Sequence, residues 1–144
     1  MAHLTLSSDL GSAAPVPTAG AATGDVALAL RAEGAAALLA GLAGYHLLGA
    51  GWGLFALLFL APDLSMLGYL INRRVGAIAY NLGHTYLAPA ALAALGWALG
   101  AEMLLAVAAI WVAHIGFDRM LGYGLKYETG FGATHLGWAI KPRS

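Results

Sequence analysis

The chain has no cysteine and very little charge, and each shortage excludes a class of protein. Without a cysteine among its 144 residues it can form no disulfide, no thiolate metal site and no cysteine nucleophile. Charged residues make up 10% of the sequence, and seven basic residues balance seven acidic ones. Nucleic-acid phosphates are bound by clustered Lys and Arg side chains, so we expect no nucleic-acid partner.

Apolar sequence, in contrast, is abundant. Hydrophobic residues make up 60% of the chain and its mean hydropathy is +0.76. No two-faced pattern dominates, and helices that are apolar on nearly all sides are typical of membrane spans. We therefore expect one all-α domain, with a four-transmembrane-helix bundle over residues 31–124, a flexible tail over residues 1–30 and a cytoplasmic segment over residues 125–144.

The N-terminal tail is rich in Ala, Ser, Thr, Gly and Pro, a composition typical of a flexible segment. It has neither the basic start nor the apolar run of a secretory signal. The alternative interpretation is a segment that docks on a partner subunit.

Four apolar segments are long enough to cross a hydrocarbon core of roughly 30 Å, which needs about twenty helical residues. They cover residues 31–49, 52–71, 75–99 and 101–121, and the short turns between them favour antiparallel neighbours. Pro62 and Pro89 are expected to kink or break their helices. Gly41 and Gly44 are expected to let the first helix pack closely against another.

Basic residues predict the direction of insertion. With four spans, all seven lie on one side of the membrane and the two opposite turns have none. The positive-inside rule then predicts that both termini are cytoplasmic, in a bacterial inner membrane. His46, near the opposite end of the first helix, is expected to be an interfacial residue. The seven basic residues are Arg31, Arg73, Arg74, Arg119, Lys126, Lys141 and Arg143.

Four ionisable residues interrupt the apolar segments: Asp63, His84, His114 and Asp118. At a rise of 1.5 Å per residue, they lie roughly 4 to 13 Å from the cytoplasmic ends of their spans, all in one half of the bilayer. Ionisable groups at such depths are costly, so a functional role is the default interpretation. The alternative is a satisfied polar network that fixes the register of the helices.

The spacing of His114 and Asp118 supports a chemical role. At i, i+4 they share a helix face with Trp111, so the carboxylate can orient the imidazole or join it as a metal ligand. Glu33 begins the first helix on the same side of the membrane.

The C-terminal segment is polar and glycine-rich, yet aromatic residues recur through it. This pattern indicates a segment that folds back across the cytoplasmic ends of the helices, where His135 would cap the cluster. The alternative is a surface tail with an incidental histidine. The aromatic residues are Tyr123, Tyr127, Phe131 and Trp138.

Three stretches carry a family resemblance: PDLSMLGYL at 62–70, AYNLGHTYLAP at 79–89 and HIGFDRMLGYGLKYETGFGATHLG at 114–137. Together they resemble a family of small bacterial membrane proteins described as a domain of unknown function, over about residues 31–137. The resemblance implies a four-helix inner-membrane protein and brings no activity with it. The signature residues that it implies are Glu33, Asp63, His84, His114, Asp118 and His135.

One interpretation of the cluster is a metal-dependent membrane hydrolase that acts on a lipid or another amphipathic substrate. Zinc, or another divalent metal such as manganese, takes imidazole nitrogen and carboxylate oxygen and activates a bound water. Asp118 would orient His114 or act as general base, and Glu33 is an alternative base. The candidate metal ligands are Asp63, His84, His114 and His135.

The alternative function is an accessory or structural subunit of a larger membrane complex. Its partners would be the lipid bilayer, together with other subunits or a second copy of the chain. A third interpretation is proton or small-ion movement along the Asp and His side chains.

Overall fold

The computed structural model describes residues 20–138, and this part of the chain is helical apart from one short hairpin. The expectation of an all-α protein is confirmed at this level. The helices are α1 (Gly24–Leu47), α2 (Trp52–Leu58), a 3₁₀ helix (Ala61–Leu70), α3 (Arg73–Gly83), α4 (Leu87–Leu99) and α5 (Glu102–Leu121), and the hairpin pairs β1 (Ala133–Thr134) with β2 (Gly137–Trp138).

Three segments of the described chain are long and apolar enough to cross a membrane: Gly24–Leu47, Trp52–Leu70 and Glu102–Leu121. The span expected at 75–99 is instead divided into α3 and α4, and neither of these helices is long enough to cross a membrane alone. Pro89 explains the division, because a proline inside a helix lacks the N–H for an intrahelical bond and its ring clashes with the carbonyl four residues earlier. The helix therefore ends at Gly83 and restarts at Leu87.

The first helix begins at Gly24, seven residues before the expected start near Arg31. The added residues are mostly Ala, Leu and Val, and Asp25 lies in the first turn, where a negative charge stabilises the positive end of the helix dipole. Residues 20–23 of the predicted flexible tail are also described, and the Ala22 N–H donates to the carbonyl of His135 at 2.7 Å. Residues 1–19 lie outside the described residues.

Helices α1 and α5 are antiparallel and touch through their backbones at three glycines. A Cβ added to Gly34 or Gly41 would come within 2.7 Å of the α5 backbone, and one added to Gly116 would collide with the backbone of Leu38. The prediction for Gly41 is therefore confirmed, whereas the one for Gly44 is wrong, since a Cβ there would meet nothing within 4 Å. Small residues at such crossings are typical of membrane helix pairs.

Arg31 fixes the end of this helix pair. Its Nε donates to the carbonyl of Met120 and its Nη2 to the carbonyl of Leu121, each at 3.0 Å. These carbonyls belong to the last turn of α5, where no intrahelical donor remains for them. The start of α1 and the end of α5 thus lie together, at what we call the basic end of the bundle (Arg31, Arg74, Arg119 and Lys126).

The remaining helices form two associations around this pair. Helix α4 packs on α5, and the 3₁₀ helix packs on α3. At the opposite end, Tyr45, Ala106 and Ile110 make a buried core, and the Tyr45 hydroxyl donates to the carbonyl of Gly51 at 2.6 Å.

Within the described residues, the segment after α5 (residues 123–138, here called the fold-back segment) folds back onto α3, as its aromatic residues predicted; residues 139–144 lie outside the described residues. Asn81 holds it through both halves of its amide: Nδ2 donates to the carbonyl of Lys126 at 2.9 Å, and Oδ1 accepts from the Lys126 N–H at 2.7 Å. Lys126 also forms an isolated bridge with Thr134 of β1. The hairpin and the loop before it are therefore fixed to the basic end of the bundle.

Candidate metal centre

Three elements bring four ionisable side chains to one point. Asp63 lies in the first turn of the 3₁₀ helix, and His84 is the residue that ends α3. His114 and Asp118 lie one turn apart on α5. Both histidines are buried, with 3% and 1% of their surface exposed, whereas both aspartates are partly exposed. The four residues form one cluster.

The donor atoms of the cluster are close enough to one another to bind one metal ion together. The Nε2 atoms of His84 and His114 are 3.1 Å apart. Asp63 Oδ1 lies 3.4 Å from the first of these nitrogens and 3.6 Å from the second. Asp118 Oδ2 lies 3.5 Å and 3.9 Å from the same two atoms. One donor atom from each residue lies within 4.8 Å of all the others.

These five separations are close to five of the six edges of a coordination tetrahedron. Ligand bonds of about 2.0 to 2.2 Å to zinc give edges of about 3.3 to 3.6 Å between neighbouring donor atoms. The four histidine-to-aspartate distances and the distance between the two imidazoles fall within a few tenths of an ångström of that range. A divalent ion could therefore be held with only small side-chain adjustments.

His84 is held in the tautomer that a metal ligand requires. Its Nδ1 lies 2.9 Å from the carbonyl oxygen of Tyr80, which can only accept, so Nδ1 carries the hydrogen. Nε2, the atom that faces the cluster, is then a bare lone pair in the neutral imidazole. The Tyr80 ring stacks on His84 with a centroid distance of 3.7 Å, and its hydroxyl donates to Asp118 Oδ2 at 3.0 Å. Tyr80 thus orients two members of the cluster.

The break in the third apolar segment also contributes to the site. The carbonyl of Gly83, freed where α3 ends, accepts a hydrogen bond from the Trp111 indole at 2.6 Å. Trp111, His114 and Asp118 occupy one face of α5, as their spacing predicted. His114 Nδ1 is buried and has no hydrogen-bond partner among the described residues. This face of α5 is therefore directed at the end of α3.

The 3₁₀ geometry sets which side chains of residues 61–70 face the cluster. With three residues per turn, residues i and i+3 eclipse one another. Asp63, Met66 and Tyr69 form one such row, and the neighbouring row, Ser65 and Gly68, contacts α3. A Cβ at Gly83 would lie 3.0 Å from the Ser65 hydroxyl oxygen, so this hydroxyl faces α3. Ser65 is thus poorly placed as a nucleophile.

Two predicted site residues are not brought into the cluster. His135 lies in the fold-back segment, where its Nδ1 accepts a hydrogen bond from the Leu125 N–H at 2.8 Å. Burial lowers the pKa of His135 below its usual 6.5, and the nearby Arg119 guanidinium lowers it further. Glu33 is exposed on α1, near the face that packs on α5. The donors that the structure assembles are Asp63, His84, His114 and Asp118.

A cavity of about 300 Å³ adjoins the two carboxylates. Lys126 projects into it with only 7% of the residue exposed, and burial lowers the pKa of this lysine while the charges of Asp118 and Asp63 oppose that shift. Sequence reasoning missed both Lys126 and Tyr80. The available signals were a lysine beside Tyr127 in the aromatic-rich C-terminal segment and a tyrosine one helical turn before His84. The lining is Asp63, Met66, Tyr80, Asp118, Tyr123, Lys126, Phe131 and Gly132.

Comparison with known proteins gives one match. The sequence profile of a family described as a domain of unknown function (DUF4260) matches residues 27–139, which is most of the chain. No curated protein and no solved structure matches it.

Proposed function

The chain belongs to the DUF4260 family, and from the cluster that it assembles we propose that it is an integral membrane metalloprotein. It binds one divalent transition-metal ion, with zinc as the first candidate, through Asp63, His84, His114 and Asp118. The observation that carries the proposal is the set of tetrahedral distances between two imidazole nitrogens and two carboxylate oxygens in an apolar bundle.

Charge supports a divalent ion at this position. Two ionised aspartates with two neutral histidines carry a charge of −2, and two like charges held within 4.8 Å of each other in an apolar bundle repel each other strongly unless a cation lies between them. A divalent cation neutralises this charge of −2, whereas a single proton shared by the cluster leaves a charge of −1. Imidazole nitrogen with carboxylate oxygen in tetrahedral arrangement is a ligand set that suits zinc, and manganese is a second candidate.

Tyr80 strengthens the metal interpretation. Histidine ligands commonly donate their second ring N–H to a carbonyl or carboxylate, which fixes the tautomer and ring orientation. His84 does so through Nδ1, and Asp118 receives the Tyr80 hydroxyl. A metal site prepared by its surroundings in this way requires little reorganisation on binding.

A hydrolase is the catalytic form of this proposal, supported by the cavity beside the cluster. When bound, the ion would supply Lewis-acid chemistry and an activated water. Four protein ligands saturate a tetrahedral ion, so catalysis needs one of them to make room. Asp63 is the best suited, because its side chain is 32% exposed, whereas that of Asp118 is 16% exposed.

The membrane topology that we propose has four crossings, with α3 and α4 acting together as the third. Support comes from the antiparallel pairing of α1 with α5, because an even number of crossings must separate the start of α1 from the end of α5. Arg74 pairs with Glu128 of the fold-back segment at 3.6 Å, so α3 also begins at the basic end. Positive residues favour the cytoplasm, which supports a bacterial inner membrane with both termini inside.

Metal analysis tests the proposed centre. We expect protein purified from metal-replete cells, washed briefly with chelator, to retain about one zinc or manganese ion per chain. His114→Ala should lose the ion. Mutation of a residue that only hydrogen-bonds a metal ligand lowers metal affinity about 10–100-fold, and removal of the ligand itself should cost more. His46→Ala is the matched control, because His46 is exposed at the other end of α1 and stacks only loosely on Trp52, 6.4 Å away.

The contradicting result is equally clear. If folded, monodisperse wild-type protein contains no metal and does not take up zinc on titration, the proposal of a metal centre is wrong. The 3.1 Å contact between the imidazoles would then be a hydrogen bond within a polar network, and an accessory-subunit function would be favoured. If His114→Ala retains the same metal content as His46→Ala, the ion lies elsewhere.

A further inference from the structure

Among the described residues, Lys126 is a buried cation without an anionic partner. Its Nζ lies over three aromatic rings, with centroid distances of 3.5 Å to Phe131, 4.3 Å to Tyr80 and 5.3 Å to Tyr69. In the part of the chain that the structure describes, its one polar contact is the Met66 sulfur at 3.9 Å. Within residues 20–138, no carboxylate oxygen lies within the 4.0 Å of this nitrogen that an ion pair requires.

The position of this lysine is fixed by its backbone. Both the N–H and the carbonyl of Lys126 are bound by the Asn81 amide, and the residue also bridges to Thr134. The side chain therefore enters the cavity because α3 and β1 hold its main chain there. Aromatic rings offset only part of the cost of removing an ammonium group from water. A bound anion would offset the rest.

The charge of the cavity depends on the metal ion. Asp63, Asp118 and Lys126 line it, and with all three ionised they sum to −1. A divalent ion on the two carboxylates changes that sum to +1. The cavity then presents two positive centres, the ion and the ammonium group, in a space of about 300 Å³.

We propose that this cavity binds a phosphate group, held between the Lys126 ammonium group and the metal ion. The inference rests on the proposed metal centre and names the class of ligand that the centre takes. Lysine binds phosphate as a point charge, without the planar geometry that arginine imposes. The space suits a small phosphate or a headgroup rather than a whole lipid, and the phosphate can come from solution or from a membrane lipid.

Calorimetric titration of the detergent-solubilised full chain with inorganic phosphate tests the inference, with zinc content measured on the same samples. Zinc-loaded wild type should bind phosphate, and chelated wild type should bind it at least about tenfold more weakly. Lys126→Met, which keeps the length and packing of the side chain, should retain zinc and lose at least about tenfold in phosphate affinity, since the charge-assisted hydrogen bond from the ammonium group is lost. Arg74→Gln is the control, because it removes a basic residue from an exposed ion pair.

A second titration with short-chain phosphatidic acid, against the matching diacylglycerol, distinguishes the two sources. Tighter binding of phosphatidic acid than of inorganic phosphate indicates a lipid headgroup, and the reverse order indicates free phosphate. Equal phosphate affinity in zinc-loaded wild type and Lys126→Met, or no binding by either, would overturn the inference while leaving the metal centre intact. Retained zinc reports that the variant is folded, and Lys126→Gln repeats the comparison if Lys126→Met loses zinc. A wild type without metal overturns both proposals together.

Discussion

At the scale of single residues, His84 and His135 use their ring nitrogens in opposite ways. His84 presents a lone pair to the cluster because its other nitrogen donates to the Tyr80 carbonyl. His135 uses its lone pair to accept from the Leu125 N–H inside the fold-back segment. Protonation of Nδ1 would remove this acceptor, so His135 makes the fold-back segment sensitive to acid.

We therefore expect the fold-back segment to loosen as the pH falls. Burial lowers the pKa of His135 in the folded segment below the 6.5 of the unfolded one. Between these two values the unfolded segment binds more protons, so stability present above about pH 6.5 is lost as the pH falls through that window. Hydrogen exchange over residues 123–138, corrected for the intrinsic exchange rate, should show faster exchange at low pH.

The control for this prediction is His135→Asn, whose amide oxygen can accept from the Leu125 N–H but does not titrate. Its exchange should depend less on pH than that of the wild type. The same pH dependence in both proteins would show that His135 is not the group responsible.

Sequence alone identified the members of the cluster because ionisable residues are conspicuous in apolar segments. It did not separate them from Glu33 and His135, since a sequence gives the position of a residue along a helix but not what the neighbouring helices present to it. Lys126 could not be identified from sequence because it lies in a polar segment. In a polar segment a lysine is ordinary, and its burial depends on contacts with Asn81 and Phe131 that no local pattern reveals.

At the scale of elements, the 3₁₀ helix is the least predictable part of the molecule. The apolar sequence and Pro62 indicated a disturbed helix, but 3₁₀ runs longer than three or four residues are uncommon. Ten residues adopt that form here. The result is the row of Asp63, Met66 and Tyr69, which an α-helix would fan over about 120° of its surface.

The glycine contacts between α1 and α5 lead to a prediction of their own. Gly116→Ala should destabilise the protein by about 1 to 3 kcal/mol, because its methyl group would collide with the α1 backbone at Leu38. Gly44→Ala should be neutral or stabilising by up to about 1 kcal/mol, since a Cβ there meets nothing and alanine favours the helix. The free energy of unfolding of each variant can be measured in mixed micelles as the fraction of SDS is increased.

This comparison controls for helix propensity, because both substitutions add the same methyl group within a helix. If Gly116→Ala is as stable as Gly44→Ala, the two backbones do not approach as closely as described. Sequence suggested a close contact through α1 but could not decide which of its glycines faces the partner.

At the scale of the whole molecule, the outer surface matches a lipid environment. Large apolar side chains project outward, among them Leu47, Leu70 and Trp97, each with more than 80% of its surface exposed. Composition predicted this surface well, because a bilayer needs only that apolar groups face outward. The number of crossings was harder to predict, because it depends on whether α3 and α4 act as one span.

Reporter fusions test the proposed topology. Alkaline phosphatase should be active when fused after Gly51 or Gly100 and inactive when fused after Arg74, because the first two positions lie at the end opposite the basic residues. The enzyme folds only outside the cytoplasm, so its activity reports the side. Activity after Arg74 together with inactivity after Gly51 would invert the topology, and inactivity after Gly100 would remove the third crossing.

The cluster lies where the two helix associations meet, and each association supplies half of it. Asp63 and His84 come from the 3₁₀ helix and α3, whereas His114 and Asp118 come from α5. Each association supplies two of the four ligands, so a bound ion would link the two associations and stabilise their contact. By thermodynamic reciprocity, whatever alters the spacing of the halves also alters metal affinity. A thicker or thinner bilayer, which changes helix tilt, would thus tune how tightly the ion is held.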